Sequence, residues 1–130
     1  MNVTILGGGA WGSAMAIHLA KNHSDSSIEL WVRDAQQGQQ MQLDRVNQRY
    51  LPGVYFPKNL VISSKWDDIW LRQDLTKQLI VIATPLAGLE QTCQHLIRSG
   101  PSSQHWLWLC KGIDPQTGKL PHEIIAQLLN

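Results

Sequence analysis

The chain has 130 residues, 43% of them hydrophobic, and its 11 Lys and Arg against 10 Asp and Glu leave a formal net charge of +1. A chain of this size makes one domain that can bury roughly two-thirds of its unfolded surface, and its hydrophobic content excludes a disordered chain. The balanced charge argues against a protein built mainly to hold nucleic acid or an anionic membrane, and apolar runs such as Leu79–Ala83 are too short to span a bilayer.

The opening, MNVTILGGG, lacks a basic n-region and does not read as a signal peptide. Asn2–Leu6 is a short apolar run that ends in glycines, the pattern of a strand. Ala10–Asn22 reads as a helix, with Ala14, Ala16 and Ala20 small enough for close packing on a sheet. After a turn at Ser24–Ser27, Ile28–Val32 forms a second strand. Asp34–Tyr50 is expected to be helical: its Gln-rich start and Gly38 weaken the pattern, but Leu43, Val46 and Tyr50 share one face. Leu51–Asn59, with two prolines and a glycine, reads as a loop. Leu60–Ser63 is a third strand, and Trp66–Arg72 is a short helix with Trp66 and Trp70 on one face.

Gln78–Ala83 is a continuous apolar run, as a strand buried on both faces requires. Thr84 and Pro85 have the form of a helix cap and first helical residue. Leu86, Leu89, Cys93, Leu96 and Ile97 mark one face of the helix they would start. A turn at Ser99–Ser103 leads to a strand at His105–Cys110. Pro121 opens a last helix, with Ile124, Ile125, Leu128 and Leu129 on one face and no capping signal at Asn130. Strand–helix alternation implies an α/β fold: a doubly wound, mostly parallel sheet with helices on both faces.

The strongest chemical signal is Gly7-Gly8-Gly9-Ala10-Trp11-Gly12, a G-x-G-x-x-G between the first strand and the first helix. In that context it is the fingerprint of a dinucleotide-binding (Rossmann-type) turn. Gly7 allows the tight turn, Gly9 lets a pyrophosphate approach the backbone, and Gly12 lets the helix pack on the strand. The first helical N–H groups then face the phosphates. Trp11 is either a ligand-facing aromatic or a packing residue. At the tip of the second strand stand Arg33 and Asp34. A carboxylate there reads the ribose hydroxyls of NAD, and an arginine suits the 2′-phosphate of NADP; Asp34 serves equally well as the cap of the next helix. Lys111, after the strand HWLWLC and before Gly112, is placed to reach an anionic ligand.

Other chemistries find no support. The five histidines have no metal-ligand spacing, no G-x-S-x-G elbow is present, and the glycine loop lacks the Lys-Ser/Thr ending of a phosphate-binding Walker sequence. Cys93 and Cys110 have no metal-type spacing and read as free thiols of a reducing compartment, with Cys110 buried rather than reactive. Trp31, Trp106 and Trp108 read as core or sheet-face residues.

The segments ILGGGAWGSAMAIHLA, LWVRD, NQRYLPGV, VIATP and WLCKGI occur in this order and run the length of the chain. The set closely resembles the NAD(P)-dependent glycerol-3-phosphate dehydrogenases of bacteria. That resemblance implies cytoplasmic enzymes that reversibly reduce dihydroxyacetone phosphate to sn-glycerol 3-phosphate, with NADP or NAD as cofactor, for phospholipid synthesis. It implies cofactor contacts at Ala10 and Trp11, Arg33 and Asp34 at the adenosine end, Tyr50 near the cofactor, and Lys111 serving both cofactor and substrate.

Two departures are mild. The family loop usually has Ala where Gly8 stands, and Asp34 sits where members often carry a basic or polar residue, so a strict NADP preference does not follow. A larger one is that members continue into a helical substrate domain that carries the catalytic lysine. Residues 1–130 are therefore expected to be a Rossmann domain incomplete at its C-terminus, with no catalytic residue of their own. No nucleic acid or membrane partner is expected, and a homodimer is. Two other readings are a stand-alone dinucleotide-binding module without catalysis, and another Rossmann dehydrogenase of a hydroxy acid or sugar phosphate. RYLPGV and CKGI argue against the last.

Overall fold

The computed structural model describes residues 1–71, 77–101 and 104–130. The expected ends of two segments, at Arg72 and at Ser102–Ser103, lie outside the described residues. The elements are β1 (Asn2–Leu6), α1 (Ala10–Asn22), β2 (Ser27–Trp31), α2 (Ala35–Asp44), β3 (Val46–Asn47), β4 (Leu51–Tyr55), β5 (Leu60–Ser63), α3 (Trp66–Trp70), β6 (Gln78–Ile82), α4 (Leu89–Ser99), β7 (His105–Trp108) and α5 (Pro121–Leu129).

Five strands form one parallel sheet in the order β5-β2-β1-β6-β7. The chain winds outward from β1 through β2 to β5, then returns to lay β6 against the other side of β1. The carboxyl ends of β1 and β6 therefore flank the point where the winding reverses, the place where such sheets hold ligands.

Alternation along the strands sends side chains to two cores. Val3, Ile5, Ile28, Leu30 and Val81 face α1, where Ala16, Ile17 and Ala20 are buried. Leu6, Trp31, Ile80 and Ile82 face the other way, against Ile69 of α3, Leu89, Cys93 and Leu96 of α4, and Ile124 and Ile125 of α5. Helices thus cover both faces, as the doubly wound reading requires. A polar row crosses the second face: Gln78 Nε2 donates to Thr4 Oγ1 (3.1 Å) and to the Ile69 carbonyl (3.1 Å), and Thr4 Oγ1 donates to Glu29 (3.3 Å). These bonds satisfy polar groups that would be costly to bury alone, and they tie α3 to the sheet.

Three expectations are corrected. The second helix ends at Asp44 rather than Tyr50, because Arg45 adopts a left-handed conformation (φ 57°). Its guanidinium is drawn to the carbonyls of Pro57 (2.8 Å) and Leu60 (2.7 Å), which turns the chain away from the helix axis. The expected loop at Leu51 instead begins with strand β4, which pairs antiparallel with β3. Pro52 is tolerated there because a two-stranded ribbon leaves strand edges unpaired. Thr84 and Pro85 do not start a helix: Pro85 is extended (ψ 154°), Leu86–Gly88 makes a 3-10 turn, and Gly88 is the N-cap of α4. Smaller differences are strand ends one or two residues short of Val32, Ala83 and Cys110, and the exposure of Ile97 and Leu129.

Candidate functional site

A cleft of about 1490 Å³ opens at the carboxyl ends of β1, β2, β6 and β7. Gly7, Gly9, Ala10, Trp11, Gly12, Arg33, Asp34, Tyr50 and Lys111, the residues singled out from sequence, all line it.

Its floor is the glycine loop. Gly7 has φ +132°, donates its N–H to the Trp31 carbonyl (3.0 Å), and has the Ala83 carbonyl oxygen 2.7 Å from where a Cβ would stand. A Cβ on Gly12 would overlap the Gly7 carbonyl oxygen, so α1 meets β1 at backbone contact distance. By contrast, a Cβ on Gly9 would meet nothing within 4 Å. That open face lies at the N-cap of α1, where no side chain caps the helix and the first turn carries no acidic residue. The N–H groups of the first turn and the positive end of the helix dipole lie at this open face, an arrangement that suits an anion.

Trp11 is exposed over the cleft and so is not a packing residue. At the tip of β2, Asp34 Oδ1 accepts from the N–H groups of Gln36 (2.9 Å) and Gln37 (3.1 Å), which makes it the cap of α2. Exposed Arg33 stands beside it at the cleft mouth. Tyr50 reaches the cleft from the link between β3 and β4, with the Arg49 guanidinium 5.0 Å from its ring centre. Lys111 approaches from the end of β7.

A second wall was not legible as a site. Trp66 packs on Trp31 with ring centres 4.2 Å apart and stacks on His95 at 4.0 Å. Along this wall and the end of β6, Trp31 Nε1, Gln37 Nε2 and Thr84 Oγ1 are buried and have no partner. The sequence signal that could have marked it is the pair Trp66 and His95, but neither spacing nor charge links them. Asn47 was also missed: nearly fully buried, it donates to the Gly8 carbonyl (2.9 Å) and to Ser13 Oγ (2.8 Å).

Both cysteines are free. Burial, with a smaller contribution from Cys110, pushes the Cys93 thiol up to about 12. Cys110 is half-buried at the cleft, and burial raises its thiol too, so neither is a thiolate near neutral pH. This agrees with the reading of Cys110 as unreactive.

A parallel sheet with this strand order, with a close-packed glycine turn opening onto an uncapped helix, defines a Rossmann-type dinucleotide-fold domain. More specifically, the chain belongs to the family described as NAD-dependent glycerol-3-phosphate dehydrogenase N-terminus, whose profile matches residues 2–130. It is similar to the NAD(P)+ glycerol-3-phosphate dehydrogenase of Polynucleobacter asymbioticus, 38% identical over 127 residues, covering 98% of this chain and 37% of that relative. The enzyme of the same name from Thiobacillus denitrificans is 42% identical over 129 residues, covering 99% of this chain and 37% of its own length. The chain therefore spans little more than a third of these curated relatives. Among solved structures, the glycerol-3-phosphate dehydrogenase of Coxiella burnetii superposes with a TM-score of 0.82 at 27% identity, covering 97% of this chain and 37% of that one. That of Saccharomyces cerevisiae shares the fold (TM-score 0.79, 24% identity, 98% and 38% covered). No helix among the described residues is long and apolar enough to cross a membrane.

Proposed function

We propose that residues 1–130 are the cofactor-binding portion of an NAD(P)-dependent glycerol-3-phosphate dehydrogenase. The observation that carries this is the joining of the glycine loop, Arg33, Tyr50 and Lys111 in one cleft whose anion site lacks any internal cap. The relatives named above carry the same activity in their names. In this reading the N–H groups around Gly9, Ala10 and Trp11 hold the pyrophosphate. Gly7 and Gly12 contribute by keeping side chains out of the turn. Arg33 holds a 2′-phosphate or lies over the adenine, and the capping carboxylate of Asp34 faces the ribose. Tyr50 closes the cleft over the cofactor.

When bound, the nicotinamide supplies the hydride exchanged with the carbonyl carbon of dihydroxyacetone phosphate, giving sn-glycerol 3-phosphate. Lys111 places a cation where the anionic substrate and the cofactor meet. The proton required by the substrate oxygen comes from a lysine of a helical substrate domain outside residues 1–130. The setting proposed is the cytoplasm, with phospholipid synthesis drawing on the product. A homodimer is the expected assembly.

The test is a titration of the chain with NADH and NADPH, read by quenching of tryptophan fluorescence. Saturable binding without turnover is expected. Arg33→Ala should weaken NADPH about tenfold, the loss of one charge-assisted phosphate contact, and NADH much less. A folded chain that binds neither cofactor sinks the proposal.

A further inference from the structure

Resting on the cofactor reading above, we infer that Asn47 is the positioning residue that aims the glycine loop at the pyrophosphate. Its side chain is 1% exposed, and both ends of its amide are engaged. Nδ2 donates to the Gly8 carbonyl (2.9 Å) and to Ser13 Oγ (2.8 Å), and Oδ1 accepts from the Tyr50 N–H (3.2 Å). These partners fix the orientation of the amide, because a carbonyl only accepts and a backbone N–H only donates.

The consequence for the ligand follows from peptide geometry. The Gly8 carbonyl and the Gly9 N–H belong to one planar trans peptide and point in opposite directions. Fastening the carbonyl inward on buried Asn47 turns the Gly9 N–H outward, to the face where Gly9 has nothing within 4 Å of a Cβ position. The loop backbone is glycine at Gly7, Gly8 and Gly9, so it has little intrinsic preference for this orientation. The bond from Asn47 of β3 therefore does what side-chain sterics would do elsewhere. Through Oδ1 the same amide holds Tyr50 at the cleft, so one residue couples the phosphate-facing loop to the aromatic that closes over it.

The experiment compares ADP, which carries a pyrophosphate, with adenosine, which does not, by calorimetric titration of the native chain, Asn47→Leu and Ser13→Ala. Asn47→Leu keeps the volume, adds no charge and removes every bond of the amide. Its affinity for ADP should fall about tenfold while that for adenosine stays within about twofold, since only ADP carries the group that the Asn47-held loop faces. Ser13→Ala removes one acceptor and should lower the ADP-to-adenosine ratio about threefold. It decides the matter if Asn47→Leu does not fold. An unchanged ratio in a folded variant, or equal losses for both ligands, overturns the role of Asn47. Failure of the native chain to bind ADP overturns the cofactor reading and this inference with it.

Discussion

On one side of the cleft, the glycine loop, the first turn of α1 and the β3–β4 ribbon satisfy one another: Asn47 bonds Gly8, Ser13 and Tyr50. On the other side, the end of β2, the start of α2, α3 and α4 pack aromatic rings tightly but leave Trp31 Nε1 and Gln37 Nε2 without a partner. The first wall satisfies its own polar groups and presents outward-facing backbone N–H groups, with the Trp11 and Tyr50 rings, to the cleft. The second is apolar and close-packed, with donors left over, each costing about 1–3 kcal/mol if nothing completes it. A pyrophosphate is the same in every dinucleotide and suits a rigid frame. A flat heteroaromatic with hydrogen-bonding edges suits the second wall.

The largest test of the contrast is Gly12→Ala. On the first wall, the new methyl would overlap the Gly7 carbonyl oxygen, backbone against backbone, with no flexible neighbour to yield. A loss of about 3 kcal/mol in urea denaturation is expected, together with loss of dinucleotide binding. Native stability in this variant would mean that the turn is looser than the structure shows.

A smaller effect lies beneath the second wall, at Cys93. Its thiol is held at about 12 against an ordinary 9.0. Below the ordinary value it is protonated whether the chain is folded or not. Above it, the unfolded chain releases the proton and the folded chain keeps it, so stability is full below about pH 9 and falls as pH rises toward 12. The slope from this thiol is at most about 1.4 kcal/mol per pH unit, to be read from urea midpoints between about pH 8 and pH 10. Cys93→Ala should flatten it. An equally steep slope in that variant would assign the loss to other groups.

The smallest effect is Gln37→Leu, which exchanges an amide whose buried Nε2 has no partner for an apolar side chain. Stability without ligand should rise by about 1 kcal/mol, the low end of the cost of an uncompleted donor, whereas adenosine binding should weaken a few-fold. If both stay unchanged, the leftover amide has no ligand to meet, and the contrast between the walls loses its functional meaning.

What was legible in the sequence was local. The turn at Gly7–Gly12 announced itself because positive φ and backbone contact leave glycine as the fitting residue. QLIVIA announced a strand buried on both faces. The end of α2 did not, because Arg45 takes its left-handed conformation in company with carbonyls 12 and 15 residues further on. Thr84 resembled a cap because cap and turn share the same residue types, and Pro85 supports extended backbone as readily as a first helical turn.

The chain order of the five sheet strands, the glycine turn and the placing of Arg33 and Lys111 at strand ends were thus determined by the sequence alone, through hydrophobic period and glycine position. The meeting of Trp66 with His95, and of Asn47 with a glycine loop 39 residues earlier in the chain, was decided by the tertiary structure. Such contacts depend on how the parallel strands and the β3–β4 ribbon come together in space, and no pattern of neighbouring residues encodes that distance.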